Sequence, residues 1–138
     1  MAKKILFIVL LFTSTFFICI QSFCQNTLVE SIYFKPNSFS IDKKNEKTLN
    51  QIAIQLRSDT FGYLRIFAFA DTKGSETYNE ILSEKRADAI YNYLDSRAKI
   101  DTANVYVAWL GESEDTYDLH FPGAHKQKRC VDIFIQFY

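Results

Sequence analysis

The stretch ADTKGSETYNEILSEKRA, residues 70–87, decides how this chain is read. The residues leading into it alternate. Leu64, Ile66, Ala68 and Ala70 fall on one side, and Tyr63, Arg65, Phe67 and Phe69 on the other. A period of two over residues 63–70 predicts a strand. Asp71, Thr72, Lys73 and Gly74 then make a loop, and Ser75 or Thr77 caps a helix that runs to about Ser96. With Leu82 at zero on a helical wheel, Tyr78, Asn79, Ala89, Ile90 and Tyr93 lie within about 80° of it. Glu80, Glu84, Asp88 and Asp95 lie opposite. Arg86 lands at about 40°, inside the apolar stripe.

A guanidinium in that position is costly unless it is paired. Two explanations stand. Arg86 either snorkels past its neighbours or pairs with an internal carboxylate, or it points into a cleft and takes an external carboxylate. The planar fork of arginine suits bidentate carboxylate recognition. Asp71 is its natural companion, just past a strand end in the loop that feeds the same helix. Asp71 can equally accept hydrogen bonds from the turn around Thr72 and Gly74.

Outward from this centre the pattern continues. Residues 31–34 are rich enough in β-branched and aromatic side chains for a short strand, ended by Pro36, Asn37 and Ser38. Asp42 is a candidate N-cap, and Leu49, Ile52, Ala53 and Leu56 predict an amphipathic helix over residues 43–57. A third strand is expected at 105–110, followed by a polar, irregular stretch over 112–128 with a turn at Pro122-Gly123. Val131, Ile133, Ile135 and Phe137 alternate with Asp132, Phe134, Gln136 and Tyr138, so the chain ends in a strand. The order β-α-β-α-β-β predicts an α+β two-layer sandwich with both helices on one face of a mixed sheet.

The chain has 138 residues and is 48% hydrophobic, enough for one core of ordinary size. Its 16 basic and 16 acidic residues leave no cationic footprint for nucleic acid. The first residues differ from the rest. Lys3 and Lys4 precede an apolar run over 5–20, and Ser22 and Cys24 supply the small side chains wanted before a cleavage point. Residues 1–24 therefore read as a secretory signal peptide and residues 25–138 as the exported domain. Two other readings stay open: Cys24 as a lipidated first residue, which bulky Phe23 disfavours, and an uncleaved anchor, for which the apolar run is short. Each places the domain outside the cytoplasm. Cys130 then stands alone and reads as a small strand residue.

Enzyme chemistry finds little support. His120 and His125 lie in the irregular stretch without cysteines at zinc spacing, and no nucleophile elbow or phosphate loop is present. Asp71 and Glu112 as a glycosidase pair would need support from their separation. No catalytic residue, metal or cofactor is expected.

The segment from Ala70 to Gly74, followed by Tyr78-Asn79-Glu80-Ile81-Leu82-Ser83-Glu84-Lys85-Arg86-Ala87, resembles the signature of the OmpA-like C-terminal domain family. Ile32-Tyr33-Phe34 is similar to that family's first strand, Leu110-Gly111-Glu112 to its G-x-G-E segment, and Lys128-Arg129-Cys130-Val131-Asp132-Ile133 to its closing strand. The resemblance covers about residues 30–135. It implies a periplasmic or outer-membrane-associated module that binds peptidoglycan without covalent chemistry. It also implies that Asp71 and Arg86 grip the diaminopimelate of the stem peptide, with Thr72, Asn79, Leu82 and Arg129 contributing. Other envelope proteins are the further partners it suggests. The chain departs from the pattern at Lys35, at Trp109, at Cys130 and in Ala68-Phe69-Ala70. The alternative is a member of the same fold that serves as a periplasmic protein-interaction module without binding peptidoglycan.

Overall fold

Asp42 does what its position suggests: its carboxylate accepts from the main-chain N–H of Asn45 at 2.9 Å and starts a helix. In the computed structural model, which describes residues 26–58, 60–70, 74–111 and 129–138, this helix is α1, Lys43–Ser58. It follows β1, Asn26–Tyr33, and precedes β2, Phe61–Ala68. The long helix α2 spans Glu76–Ala98. Ser75 is its N-cap and accepts from the N–H of Tyr78 at 3.2 Å, so Ser75 rather than Thr77 fills that role. Lys99 ends the helix in a left-handed conformation, φ 51°. A short 3₁₀ turn, Thr102–Asn104, leads into β3, Val105–Trp109. The last strand, β4, is Cys130–Phe137.

The strands form one mixed sheet in the order β1-β4-β2-β3. The final strand is inserted between the first two: Ile32 of β1 faces Val131, and Ile66 of β2 faces Ile133, both antiparallel. β2 and β3 run parallel, with Ile66 opposite Val107. The expected two-layer α+β arrangement is what forms. Leu49, Ile52 and Leu56 of α1 and Ala87, Ile90 and Leu94 of α2 close over Ile32, Leu64, Ile66, Val131, Ile133 and Ile135. Burying a side chain of this size is worth about 1.5–3 kcal/mol, so this layer is the main source of stability.

Two expectations need correction. β1 begins at Asn26, five residues earlier than the β-branched run suggested, because β4 pairs with it down to Asn26 opposite Phe137. The buried face of α2 is also turned from the expected stripe. It consists of Asn79, Leu82, Ser83, Arg86, Ala87, Ile90 and Leu94, while Tyr78 is 43% exposed. Small Ser83 and Ala87 let that side of the helix approach the sheet, and the aromatic ring is left outside.

The opposite sheet face carries no described helix. Phe67 packs against Tyr106 and Phe134 there, at centroid distances of 5.7 and 6.0 Å. Asp132 is buried on that face and accepts from the Ser31 hydroxyl at 2.5 Å. Burial pushes the nearby Tyr33 phenol above its usual range, helped by Cys130 and Asp132, while a hydrogen bond with Ser31 pulls the other way.

Candidate functional site

Arg86 is the largest fully buried side chain among the described residues. Its Nε donates to the carbonyl of Ser38 at 3.0 Å, one Nη to the carbonyl of Phe69 at 2.9 Å, and the other Nη to the carbonyl of Lys35 at 3.4 Å. The guanidinium carbon lies 5.4 Å from the centroid of the Phe34 ring. Three of five N–H groups thus bind main-chain oxygens. Those oxygens come from two places: the β1–α1 loop and the residue just past β2. One helical side chain therefore ties together the segments that border this end of the sheet.

The other recognised helix positions lie on the same buried face. Asn79 is fully buried and Leu82 is 6% exposed. Asn79 lies under the β2–α2 connection. A Cβ placed on Gly74 would stand 3.4 Å from its Oδ1 and 3.3 Å from the Tyr78 ring. Gly74 adopts φ 125°, which side chains avoid, so glycine is what lets the chain pass here. Arg129 sits just before β4, half-buried, and its carbonyl accepts from the N–H of Phe34 at 2.8 Å. Phe69 links these parts: its N–H donates to the carbonyl of Cys130 at 2.9 Å, and its own carbonyl receives Arg86. Cys130 is fully buried and belongs to β4, as its small size suggested.

Arg86, Asn79, Leu82 and the Arg129 main chain are therefore gathered at one end of the sheet. Asp71 and Thr72 lie outside the described residues, as do residues 1–24, Glu112, His120 and His125. Lys35 is exposed and offers its main-chain oxygen, not its ammonium, to Arg86. Exposed Lys85 stands over the ring of exposed Phe39, 5.6 Å from its centroid.

One contributor escaped the sequence reading. Ser83 is fully buried, and its hydroxyl accepts from the N–H of Gly111 at 3.1 Å while donating to the carbonyl of Glu80 at 2.8 Å. The carbonyl of Gly111 in turn accepts from Ala70 at 2.7 Å. Ser83 thereby fastens the end of β3 to α2, and the end of β2 to both. The available signal was a small polar residue on the inward half of the helix, three positions before Arg86. Among the described residues no cluster of three His, Cys, Asp or Glu is placed to hold a metal ion. No described helix is long and apolar enough to cross a membrane.

Fold and site together define a small α+β module of OmpA-like architecture, with a buried arginine pinning the loops at one sheet end. The family model described as "OmpA family" matches residues 33–129. The chain belongs to the OmpA family. It is 34% identical over 111 residues to the peptidoglycan-associated lipoprotein of Buchnera aphidicola, covering 75% of this chain and 60% of that protein. Outer membrane protein 41 of Porphyromonas gingivalis is 30% identical over 94 residues, 67% of this chain and 24% of that protein. The crystal structure of the peptidoglycan-associated lipoprotein of Burkholderia pseudomallei superposes with a TM-score of 0.60 at 28% identity, over 77% of this chain and 89% of that one. The chain spans between about a quarter and 60% of the length of these two curated relatives.

Proposed function

We propose that this chain is an exported, peptidoglycan-binding module of the cell envelope, and that Arg86 and Asp71 grip the diaminopimelate of the stem peptide. The proposal places it in the periplasm or at the outer membrane, with other envelope proteins as further partners and no covalent chemistry. Family membership and the relatives named as peptidoglycan-associated support the general reading. The observation that carries the finer one is the placement of the Arg86 fork on the carbonyls of Lys35, Ser38 and Phe69. A cation held at two loops is already oriented before a ligand arrives.

Diaminopimelate carries one more carboxylate than lysine, on its distal carbon beside an amine. Recognising it takes a cation and an anion side by side. Arg86 is fully buried, and its contacts to the loop carbonyls orient the fork that a ligand carboxylate would meet. In this low-dielectric setting a charged hydrogen bond is worth about 1.5–3 kcal/mol. Asp71, in the sequence segment that leads into the same helix, accepts from the ammonium.

Titration of the chain with the two stem peptides tests this. Diaminopimelate peptide should bind about tenfold to a hundredfold more tightly than the lysine peptide, and Asp71→Asn should weaken it by a similar factor. Equal affinity for both peptides in the unaltered chain overturns the diaminopimelate mechanism. Failure to sediment with isolated cell wall overturns the broader reading in favour of a protein-interaction module.

A further inference from the structure

β1 is an edge strand, and it leaves one side of its backbone facing away from the sheet. The N–H of Phe34 donates to the carbonyl of Arg129, so Phe34 and alternate residues before it direct their main-chain groups to β4. Thr27, Val29, Ser31 and Tyr33 direct theirs outward. The carbonyl of Tyr33 is taken by the Asn45 side chain at 2.8 Å. Among the described residues no strand pairs with the outward groups of Thr27, Val29 and Ser31.

Beside this edge lies a groove of about 430 Å³ between β1 and α1. Leu28 and Glu30 border it from the strand, and Thr48, Gln51, Ile52 and Gln55 from the helix. Among these lining residues Glu30 is the one with a charge. Ile54 also lines the groove and is 52% exposed. A strand added to β1 would point alternate side chains into the groove, opposite Leu28 and Glu30. Leu28 and Ile52 offer an apolar seat, and Glu30 offers a carboxylate two residues on.

We propose that β1 and α1 form a docking groove for an extended segment of another protein, added as a fifth strand with apolar and basic side chains alternating along its inward face. Main-chain hydrogen bonds hold the segment, and Glu30 selects the basic residue by charge. This site is separate from the Arg86 end of the sheet and does not depend on the peptidoglycan reading.

The probe is a blocked, labelled peptide, acetyl-Val-Thr-Lys-Thr-Val-Thr-Lys-Thr-amide, followed by fluorescence anisotropy. Its counterpart has Glu in place of Lys. The Lys peptide should bind, and the Glu peptide should bind at least about threefold more weakly, the scale of an exposed ion pair. Glu30→Lys should reverse that preference. Val29→Pro removes an outward N–H and no hydrogen bond to β4, a change an edge strand tolerates. It should weaken the Lys peptide by about tenfold or more, with the circular dichroism and melting temperature of the parent chain. Equal binding of both peptides, or full binding by a folded Val29→Pro chain, overturns the proposal. Absence of Lys-peptide binding also overturns it and leaves Glu30 as a charge that guards the edge against pairing. A self-association abolished by Val29→Pro, with no peptide binding, would assign the edge to a second copy instead.

Discussion

The main-chain N–H of Gly111 ends on the hydroxyl of Ser83, 3.1 Å away, in a fully buried position. This contact joins the end of β3 to α2, one turn before Arg86. Ser83→Ala would leave a buried N–H without that acceptor. The expected loss is about 1–3 kcal/mol of folding free energy, read as a lowered urea midpoint with an unchanged slope. A change below about 0.5 kcal/mol would show that the Gly111 N–H finds another acceptor at no cost.

The same contact shows which parts of the molecule the sequence could reveal. Apolar residues recurring at periods of two and 3.6 were legible, so Leu49 to Leu56 and Leu64 to Ala68 gave a helix and a strand in the observed places. The start of β1 was not. Asn26, Thr27 and Glu30 carry no strand pattern of their own, and their extended form comes from pairing with β4, about a hundred residues away. Arg86 was visible as a charge in an apolar stripe, but the main-chain oxygens of Lys35, Ser38 and Phe69 that it binds were not, because every residue possesses one and no pattern marks them. Ser83 stood in the recognised helix motif but was given no role, because a lone serine on a helix has no periodic signal.

Gly74 provides a test of the connection into α2. Its φ of 125° is open to glycine and costly for any other residue. A methyl group there would also press on Tyr78 and Asn79 at 3.3 and 3.4 Å. Gly74→Ala should destabilise the fold by about 1–3 kcal/mol. It should also weaken stem-peptide binding by shifting the residues just before the helix. Thermal unfolding and peptide titration of the same sample would separate the two effects. Unaltered stability would mean that the connection relaxes to another path.

Tyr33 sets an alkaline limit. Its phenol is pushed up chiefly by burial, so the neutral form is favoured in the folded chain. The resulting contribution to stability is complete below the ordinary tyrosine range near pH 10. It is lost as pH rises through the higher folded value. Tyr33→Phe should therefore flatten the fall in stability above about pH 10, and leave neutral pH nearly unchanged. Denaturant titrations at several alkaline pH values would check it. Parallel curves for the two chains would rule out Tyr33 as the source of the loss.

Arg86→Lys asks whether charge or fork shape holds the loops. Lysine keeps the cation but presents a single ammonium, which cannot meet three carbonyls spread over the β1–α1 loop and the end of β2. Losing one or two charged hydrogen bonds should cost about 1.5–6 kcal/mol in denaturant unfolding. Arg86→Met removes the charge as well and leaves the carbonyls of Ser38 and Phe69 without this donor. It should destabilise at least as much. The two variants should diverge in binding. If the cation contributes to recognition, Lys at this position retains part of the affinity for diaminopimelate peptide and Met retains none, when both are measured where each chain is folded. Two variants of equal stability to the parent would mean that the carbonyl contacts do not hold the loops. Equal binding by folded Lys and Met variants would remove Arg86 from the recognition mechanism and leave it a purely structural pin.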